Sequence, residues 1–150
     1  MKKIRLSYER ESVECQEVVF PGITHYVYFT LNVDEVDQDQ LFYSLQRNFP
    51  GRGTGAYGLM LVEMSTLKVI PIVYVSATGT LYHENSCGSG SAAVAAALTQ
   101  RQKRSLAATL QEPGGRIDIE TDWQAEKLVS ITIGGPVRLG PETLEDTEKP

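Results

Sequence analysis

One short segment of the chain places a thiol among residue types that could use it chemically. Cys87 is followed by Gly88, Ser89 and Gly90 and then by an alanine-rich run that predicts a helix. A thiol at a helix N-terminus lies at the positive end of the helix dipole, so we expect a lowered pKa and a thiolate near neutral pH. The free N–H groups of Gly88, Ser89 and Gly90 would bind a carboxylate beside it. An amino acid held there would present its α-carbon to Cys87 for proton abstraction.

The alternative interpretation of this segment is structural. Cys87 would then be a small buried hydrophobic residue, and the glycines would only let the helix pack closely on a strand. The Gly-Ser-Gly frame at the start of an alanine-rich helix favours the functional interpretation. Glu84 and Asn85, which precede Cys87, are candidates for further substrate contacts.

The elements that must position these residues follow from hydrophobic periodicity and breakers. Alternation predicts a strand pair in residues 1–20 and a strand at 25–31, and Pro50 should end a helix that carries Leu41 and Leu45. Further strands are predicted at 59–62 and 69–75, the second at a sheet edge or a bulge because of Pro71, then the helix after Cys87 and a hairpin of 116–121 with 127–133. The glycine-dense segment 51–55 is interpreted as a mobile loop and a candidate lid. We therefore predict one α+β domain over 1–140 and a solvated acidic tail over 141–150.

Composition excludes several classes of function. The 150 residues, 41% hydrophobic, are typical of one folded domain. The 14 Lys and Arg are scattered among 19 Asp and Glu, so nucleic acid is not expected as a partner. Two cysteines and two histidines lack the paired spacing of a metal cage, and no apolar run reaches the ~20 residues that span a membrane. We predict a cytoplasmic protein with reduced thiols and no metal.

Three segments together resemble a known family. Residues 84–92 (ENSCGSGSA) resemble the second cysteine motif of the diaminopimelate epimerase family, the cofactor-independent amino-acid racemases and epimerases. Residues 22–25 (GITH) are similar to its Gly-Asn-Pro-His motif, and residues 134–139 (GGPVRL) resemble the Gly-Pro-Val ending of its last strand. The resemblance covers Gly22 to Leu139, in the expected order.

The resemblance implies a fold of two similar halves, each a curved mixed β-sheet wrapped around a central helix, with the active site in the cleft between them. This chain would be the C-terminal half only. Two cysteines on opposite faces of the α-carbon exchange its proton as base and acid, without pyridoxal phosphate (PLP) or metal. Cys87 would be the cysteine of the second half, Gly88 and Ser89 would hold the α-carboxylate, and His25 would lie near the thiols.

The sequence departs from the family at the second thiol and at the substrate contacts. Cys15 has no glycine neighbours and is interpreted as a structural strand residue. A missing N-terminal half, a partner chain or a second copy must then supply the other base. Residues 23–24 (IT) stand where Asn-Pro is expected and 78–79 (TG) roughly where Glu-Arg is expected, so a different amino acid, with a polar or basic side chain, fits better than diaminopimelate.

Two other classes of function stay open at the level of the sequence. The first is a thiol nucleophile that forms a covalent intermediate, for which His83 and Glu84 are the nearby base and acid. The second is a non-catalytic domain that binds an amino acid or another carboxylate and has lost the second base.

Overall fold

A computed structural model of the chain describes residues 1–48, 55–75, 78–84 and 87–134. These residues form nine strands and two α-helices, which confirms the α+β class. The strands are β1 (Lys2–Tyr8), β2 (Glu11–Phe20), β3 (Ile23–Thr30), β4 (Ala56–Glu63), β5 (Lys68–Val75), β6 (Thr80–His83), β7 (Ala107–Glu112), β8 (Gly115–Gln124) and β9 (Lys127–Gly134). The helices are α1 (Gln38–Asn48) and α2 (Gly88–Gln102), and a short 3-10 turn covers Val33–Glu35.

The strands form one mixed sheet in the order β1-β2-β3-β4-β5-β7-β8-β9, with β6 paired to β5. Two neighbouring pairs are parallel, β3 with β4 and β5 with β7, and the others are antiparallel. The β5–β7 pair meets only at Lys68 and Gln111. The sheet is therefore continuous but narrow at this one joint.

Helix α2 is buried along most of its length. Its ten residues 90–99 are all buried, which requires packing partners all around the helix rather than on one stripe. Apolar side chains from both halves of the sheet supply them: Val18, Val27, Met60, Val62, Val69, Leu110, Ile117 and Ile119. Because β2, β3, β8 and β9 all contact the same helix, the sheet curves around it. Alanine, a strong helix former with a small side chain, permits this close wrapping.

Helix α1 covers the opposite face of the sheet. Leu41, Phe42 and Leu45 are buried there against residues of β1, β3, β4 and β5. Cys15 belongs to this second core and is 1% exposed, while Val18 on the same strand packs towards α2. Burial, with a smaller contribution from Glu14, raises the pKa of Cys15 to about 12, as suits a structural thiol.

The position of Pro71 differs from the expected sheet edge or bulge. Strand β5 lies inside the sheet, and Pro71 pairs with Met60 of β4 without a bulge. On its other side Lys68 pairs with β7 and residues 72–75 pair with β6. Pro71 thus lies where the neighbouring strand changes, and so the ladder does not need its missing N–H. Strands β6 and β7 were not predicted from the sequence.

Several predicted features lie outside the described residues. These are Asn85, the segment 51–54, the part of the last family motif after Gly134, and the acidic tail. In the ranges that the structure covers, no helix is both long enough and apolar enough to cross a membrane.

Candidate active site

Cys87 is the N-cap residue of α2, as its sequence context predicts. Its backbone is extended, with φ −145° and ψ 113°, and its Sγ accepts the N–H of Gly90. That N–H···S distance is 3.3 Å. The sulfur therefore takes the place that a serine or aspartate oxygen usually takes at a helix start.

Three side-chain atoms leave little room for a Cβ at Gly90. A Cβ at this position would lie 2.5 Å from Cε and 2.6 Å from Sδ of Met60, and 3.1 Å from Sγ of Cys87. Met60 comes from β4 and is fully buried. The glycine thus lets a strand approach the thiol closely, which is the reason for a glycine that the structural interpretation of this segment predicted.

Ser89 links the thiol to His25. Its Oγ lies 2.8 Å from Nε2 of His25 and 3.7 Å from Sγ of Cys87. Among the described residues, Nδ1 of His25 is buried without a hydrogen-bond partner. Because an orphaned buried N–H donor is rarer than an orphaned acceptor, we assign the proton to Nε2. The imidazole then donates to Ser89, and the serine hydroxyl is free to donate to the sulfur.

His25 is held as a neutral ring by complete burial. Its exposed fraction is 0%, and burial lowers its pKa to about 4. Gly58, its register partner on β4, makes room for it, because a Cβ there would lie 2.5 Å from Nδ1. Phe20 packs edge-on against the ring at 6.4 Å between centroids. The expected proximity of His25 to the thiol is thus observed, through Ser89.

Glu112, at the end of β7, is a site residue that sequence reasoning missed. Its Oε1 accepts the N–H of Cys87 at 3.1 Å, and its Oε2 is hydrogen-bonded to the hydroxyl of Ser91. The carboxyl group is buried, and burial raises its pKa to about 7 despite these two hydrogen bonds. Glutamate before Pro-Gly-Gly gives no local signal, and only the pairing of β7 into the sheet brings it to α2.

The ionisation of Cys87 corrects the sequence-based expectation. Burial raises the pKa of this thiol, and that effect exceeds the lowering by the Gly90 N–H and the Ser89 hydroxyl. The carboxylates of Glu112 and Glu84 raise the pKa further. In the described structure the favoured state at neutral pH is therefore the thiol, not the thiolate.

The predicted carboxylate site is smaller than expected. The N–H of Gly90 is already donated to Sγ of Cys87, so it is not available to a ligand. The N–H groups of Gly88 and Ser89 have no protein acceptor among the described residues, and they remain the candidates. Glu84 is half-buried, and its N–H donates to the carbonyl of Pro71. His83 is exposed on β6, which does not favour it as a base fixed on the thiol.

The two cysteines of the chain lie on different faces of the sheet. Cys15 packs with α1, whereas Cys87 begins α2, and both are free thiols. The chain thus offers a single thiol to this site. The ranges with described side chains contain no group of three or more His, Cys, Asp or Glu that could hold a metal ion.

Comparison with known proteins gives matches to racemases. Residues 1–143 match the family model described as the histidine racemase CntK N-terminal domain. Two proteins named histidine racemase, from two strains of Fusobacterium nucleatum subsp. nucleatum, are 27% identical to the chain over 124 residues. The alignment covers 81% of the chain and 44% of each relative. The chain therefore spans less than half the length of these relatives.

Proposed function

The chain belongs to the histidine racemase CntK N-terminal domain family, and from that premise we propose that it forms one half of an amino-acid racemase that needs neither PLP nor metal. Cys87 would be one of its two acid/base groups. The observation that carries the proposal is the position of Cys87: a thiol at the start of a buried helix, with an N–H and a hydroxyl directed at its sulfur.

The contacts of Cys87 suit a proton donor. Its raised pKa keeps the sulfur protonated while a thiolate from the other half takes the α-proton from the opposite face. One Cα–H bond breaks, a new one forms with the proton of Cys87, and the negative charge passes from the partner sulfur to Sγ of Cys87. The Gly90 N–H and the Ser89 hydroxyl would then stabilise the new thiolate. In the reverse direction the two thiols exchange roles.

The substrate carboxylate would bind at the start of α2. The N–H groups of Gly88 and Ser89 point out of the first turn, where the helix dipole favours an anion. Glu84 and Asn85, which precede the thiol, stay predicted contacts of the substrate. His25 would act on the thiol indirectly, because its ring contacts Ser89.

Histidine is the proposed substrate. The matched family and both relatives carry the name histidine racemase. A polar, basic side chain also agrees with the loss of the motif residues that bind diaminopimelate in the resembling family. The likeness to diaminopimelate epimerases itself is proposed at the level of fold and mechanism only.

The second acid/base group must come from another source, because Cys87 is the single thiol that this chain offers to the site. A further segment of the same polypeptide, a partner chain or a second copy would each supply the second base. The cysteine motif predicts that this chain is the C-terminal half, whereas the matched family is described as an N-terminal domain. The C-terminal assignment stays a prediction, as does a cytoplasmic location.

Loss of the α-proton signal in deuterated water tests the proposal. The assembled enzyme should exchange the α-proton of both L- and D-histidine, as followed by proton NMR, and chiral chromatography should show inversion. Cys87→Ser should reduce exchange by at least about 100-fold, since a serine hydroxyl is a far weaker acid at neutral pH. Cys15→Ser is the matched control and should retain exchange wherever the variant folds.

Three results would count against this function. Exchange that is unchanged in Cys87→Ser would remove Cys87 from the reaction. Histidine binding without exchange in the assembled enzyme would instead favour the non-catalytic binding domain. A covalent adduct on Cys87 after incubation with substrate, detected by mass spectrometry, would favour a thiol nucleophile.

A further inference from the structure

Glu112 is connected by hydrogen bonds to both backbone polar groups of Cys87, the residue that carries the sulfur. Its Oε1 accepts the N–H of Cys87 at 3.1 Å. Its Oε2 is hydrogen-bonded to the hydroxyl of Ser91, and that hydroxyl also donates to the carbonyl of Cys87 at 2.7 Å. One carboxyl group thus contacts the N–H directly and the carbonyl through one serine.

From this geometry we propose that Glu112 is a positioning residue for the Cys87 thiol, which fixes the start of α2 and whose charge controls when the thiol ionises. The inference rests on the proposed role of Cys87 as an acid/base. Glu112 acts through Cys87 and Ser91 rather than on the substrate.

These hydrogen bonds depend on whether the carboxyl group of Glu112 carries a proton. The Ser91 hydroxyl has a single hydrogen, and both the Cys87 carbonyl and Oε2 of Glu112 are placed to accept it. Both hydrogen bonds can form at the same time only when the carboxyl group carries a proton of its own, which it then donates to the serine oxygen. Burial raises the pKa of Glu112 to about 7, so the protonated form is populated near neutral pH. Ionisation of Glu112 removes that proton and places a negative charge beside the thiol.

Other titratable or charged groups also lie around Glu112 and Cys87. Glu84, from the segment after β6, acts in the same direction as Glu112 and raises the pKa of Cys87. His25, from β3, is neutral above pH values of about 4. Glu63 and Lys68 line a cavity of about 410 Å³ together with Glu112. Of the two carboxylates that raise the thiol pKa, Glu112 is the one hydrogen-bonded to the Cys87 backbone.

The pH dependence of Cys87 alkylation tests the electrostatic part. The rate of reaction with iodoacetamide would be measured by mass spectrometry on the tryptic peptide 69–101, which contains Cys87 as its single cysteine. In Glu112→Gln the apparent pKa of Cys87 should fall by about one unit, because a nearby negative charge is lost. The wild-type profile should also bend near pH 7, and this bend should be absent from the variant.

Racemisation kinetics test the positioning part in the assembled enzyme. Glu112→Ala removes both hydrogen bonds and should lower kcat for histidine by about tenfold or more with little change in KM. Glu112→Gln should restore kcat to within about threefold, because its amide can accept from Cys87 and donate to Ser91. Glu17→Gln is the matched control: Glu17 is also buried but accepts from Tyr26 on a different strand, so the alkylation profile should not change.

The outcomes separate this inference from the proposed function. An alkylation profile of Glu112→Gln that superimposes on the wild-type profile would overturn the role of Glu112, whether or not the enzyme racemises histidine. A Glu112→Ala variant with the same kcat as the wild type would also overturn the role of Glu112. Where the alanine variant does not fold, the glutamine variant decides alone. Proton exchange independent of Cys87 would overturn the proposed function, while the thiol titration would still report on Glu112.

Discussion

At the level of single residues, the site depends on a glycine that lies behind His25. Gly58 faces the ring of His25, and an added Cβ would lie 2.5 Å from Nδ1, 2.9 Å from Cε1 and 3.2 Å from the carbonyl of Ile72. The ring is fully buried, and the carbonyl belongs to the sheet backbone, so neither can move at low cost. Gly58 therefore determines where His25, and through it the Ser89 hydroxyl, can lie.

We predict that Gly58→Ala destabilises the protein by about 1–3 kcal/mol, the usual range for overpacking a core. It should also slow proton exchange, because the displaced ring no longer orients Ser89. Urea unfolding measures the loss of stability, and proton NMR in deuterated water measures the rate of α-proton exchange. Gly55→Ala is the control, since a Cβ there meets nothing within 4 Å. Equal unfolding free energies for the two variants would contradict the argument.

At the scale of elements, α2 is buried over residues 90–99 because its core positions are small. Ala95 is 0% exposed and lies in the cluster that the curved sheet encloses. Larger side chains would force the strands apart rather than reach solvent.

Ala95→Leu should accordingly cost about 1–3 kcal/mol of unfolding free energy. The control is Gln102→Leu, at the exposed last residue of the same helix, which should change stability by less than about 0.5 kcal/mol. Denaturant titration of both variants provides the comparison. A tolerated leucine at 95 would mean that the sheet wraps the helix less tightly than described.

The end of α2 offers a stabilising change. Lys103 caps the helix in a left-handed conformation, with φ 53° and ψ 46°, and its N–H donates to the carbonyl of Thr99. Glycine adopts this conformation without the Cβ clash, so Lys103→Gly should raise the unfolding free energy by about 0.5–1 kcal/mol. Lys103→Ala retains the clash and should not stabilise, which thermal unfolding of both variants would check.

At the scale of the whole molecule, two buried groups oppose each other in the pH dependence of stability. The pKa of His25 is lowered from 6.5 to about 4, so the unfolded chain binds more protons and stability falls as pH drops through this window. The pKa of Glu112 is raised from 4.5 to about 7, so the folded chain binds more protons and stability falls as pH rises. Between pH 4.5 and 6.5 the two effects offset each other.

Glu112→Gln should expose the His25 effect alone. The unfolding free energy of this variant should rise by about 3 kcal/mol between pH 4 and 7, a steeper rise than in wild type. Above pH 7 the variant should be more stable than wild type, because no buried carboxylate forms. Urea unfolding across this pH range tests both statements, with Glu120→Gln, at an exposed position of β8, as control. Parallel curves for Glu112→Gln and wild type would contradict them.

Several local features of this protein could be predicted from its amino-acid sequence. The N-cap at Cys87, the alanine-rich helix after it, the final hairpin and the α+β class all depend on residues close together in the chain. Capping, helix propensity and strand alternation act over a few residues, which is why these predictions are confirmed. The likeness to amino-acid racemases also came from local motifs, chiefly the segment around Cys87.

The ionisation of the thiol and its contacts depend on parts of the chain that are far apart in sequence. Glu112 lies 25 residues after Cys87 and His25 lies 64 residues before Ser89, and sheet pairing brings them to the start of α2. The helix dipole predicted a lowered pKa for Cys87, yet enclosure by the sheet raises it, since desolvation depends on the packing of all surrounding strands. Gly90 likewise looked like an open anion donor, but its N–H is used by the sulfur. Burial and charge at a site are sums over distant segments, and no local pattern in the chain carries them.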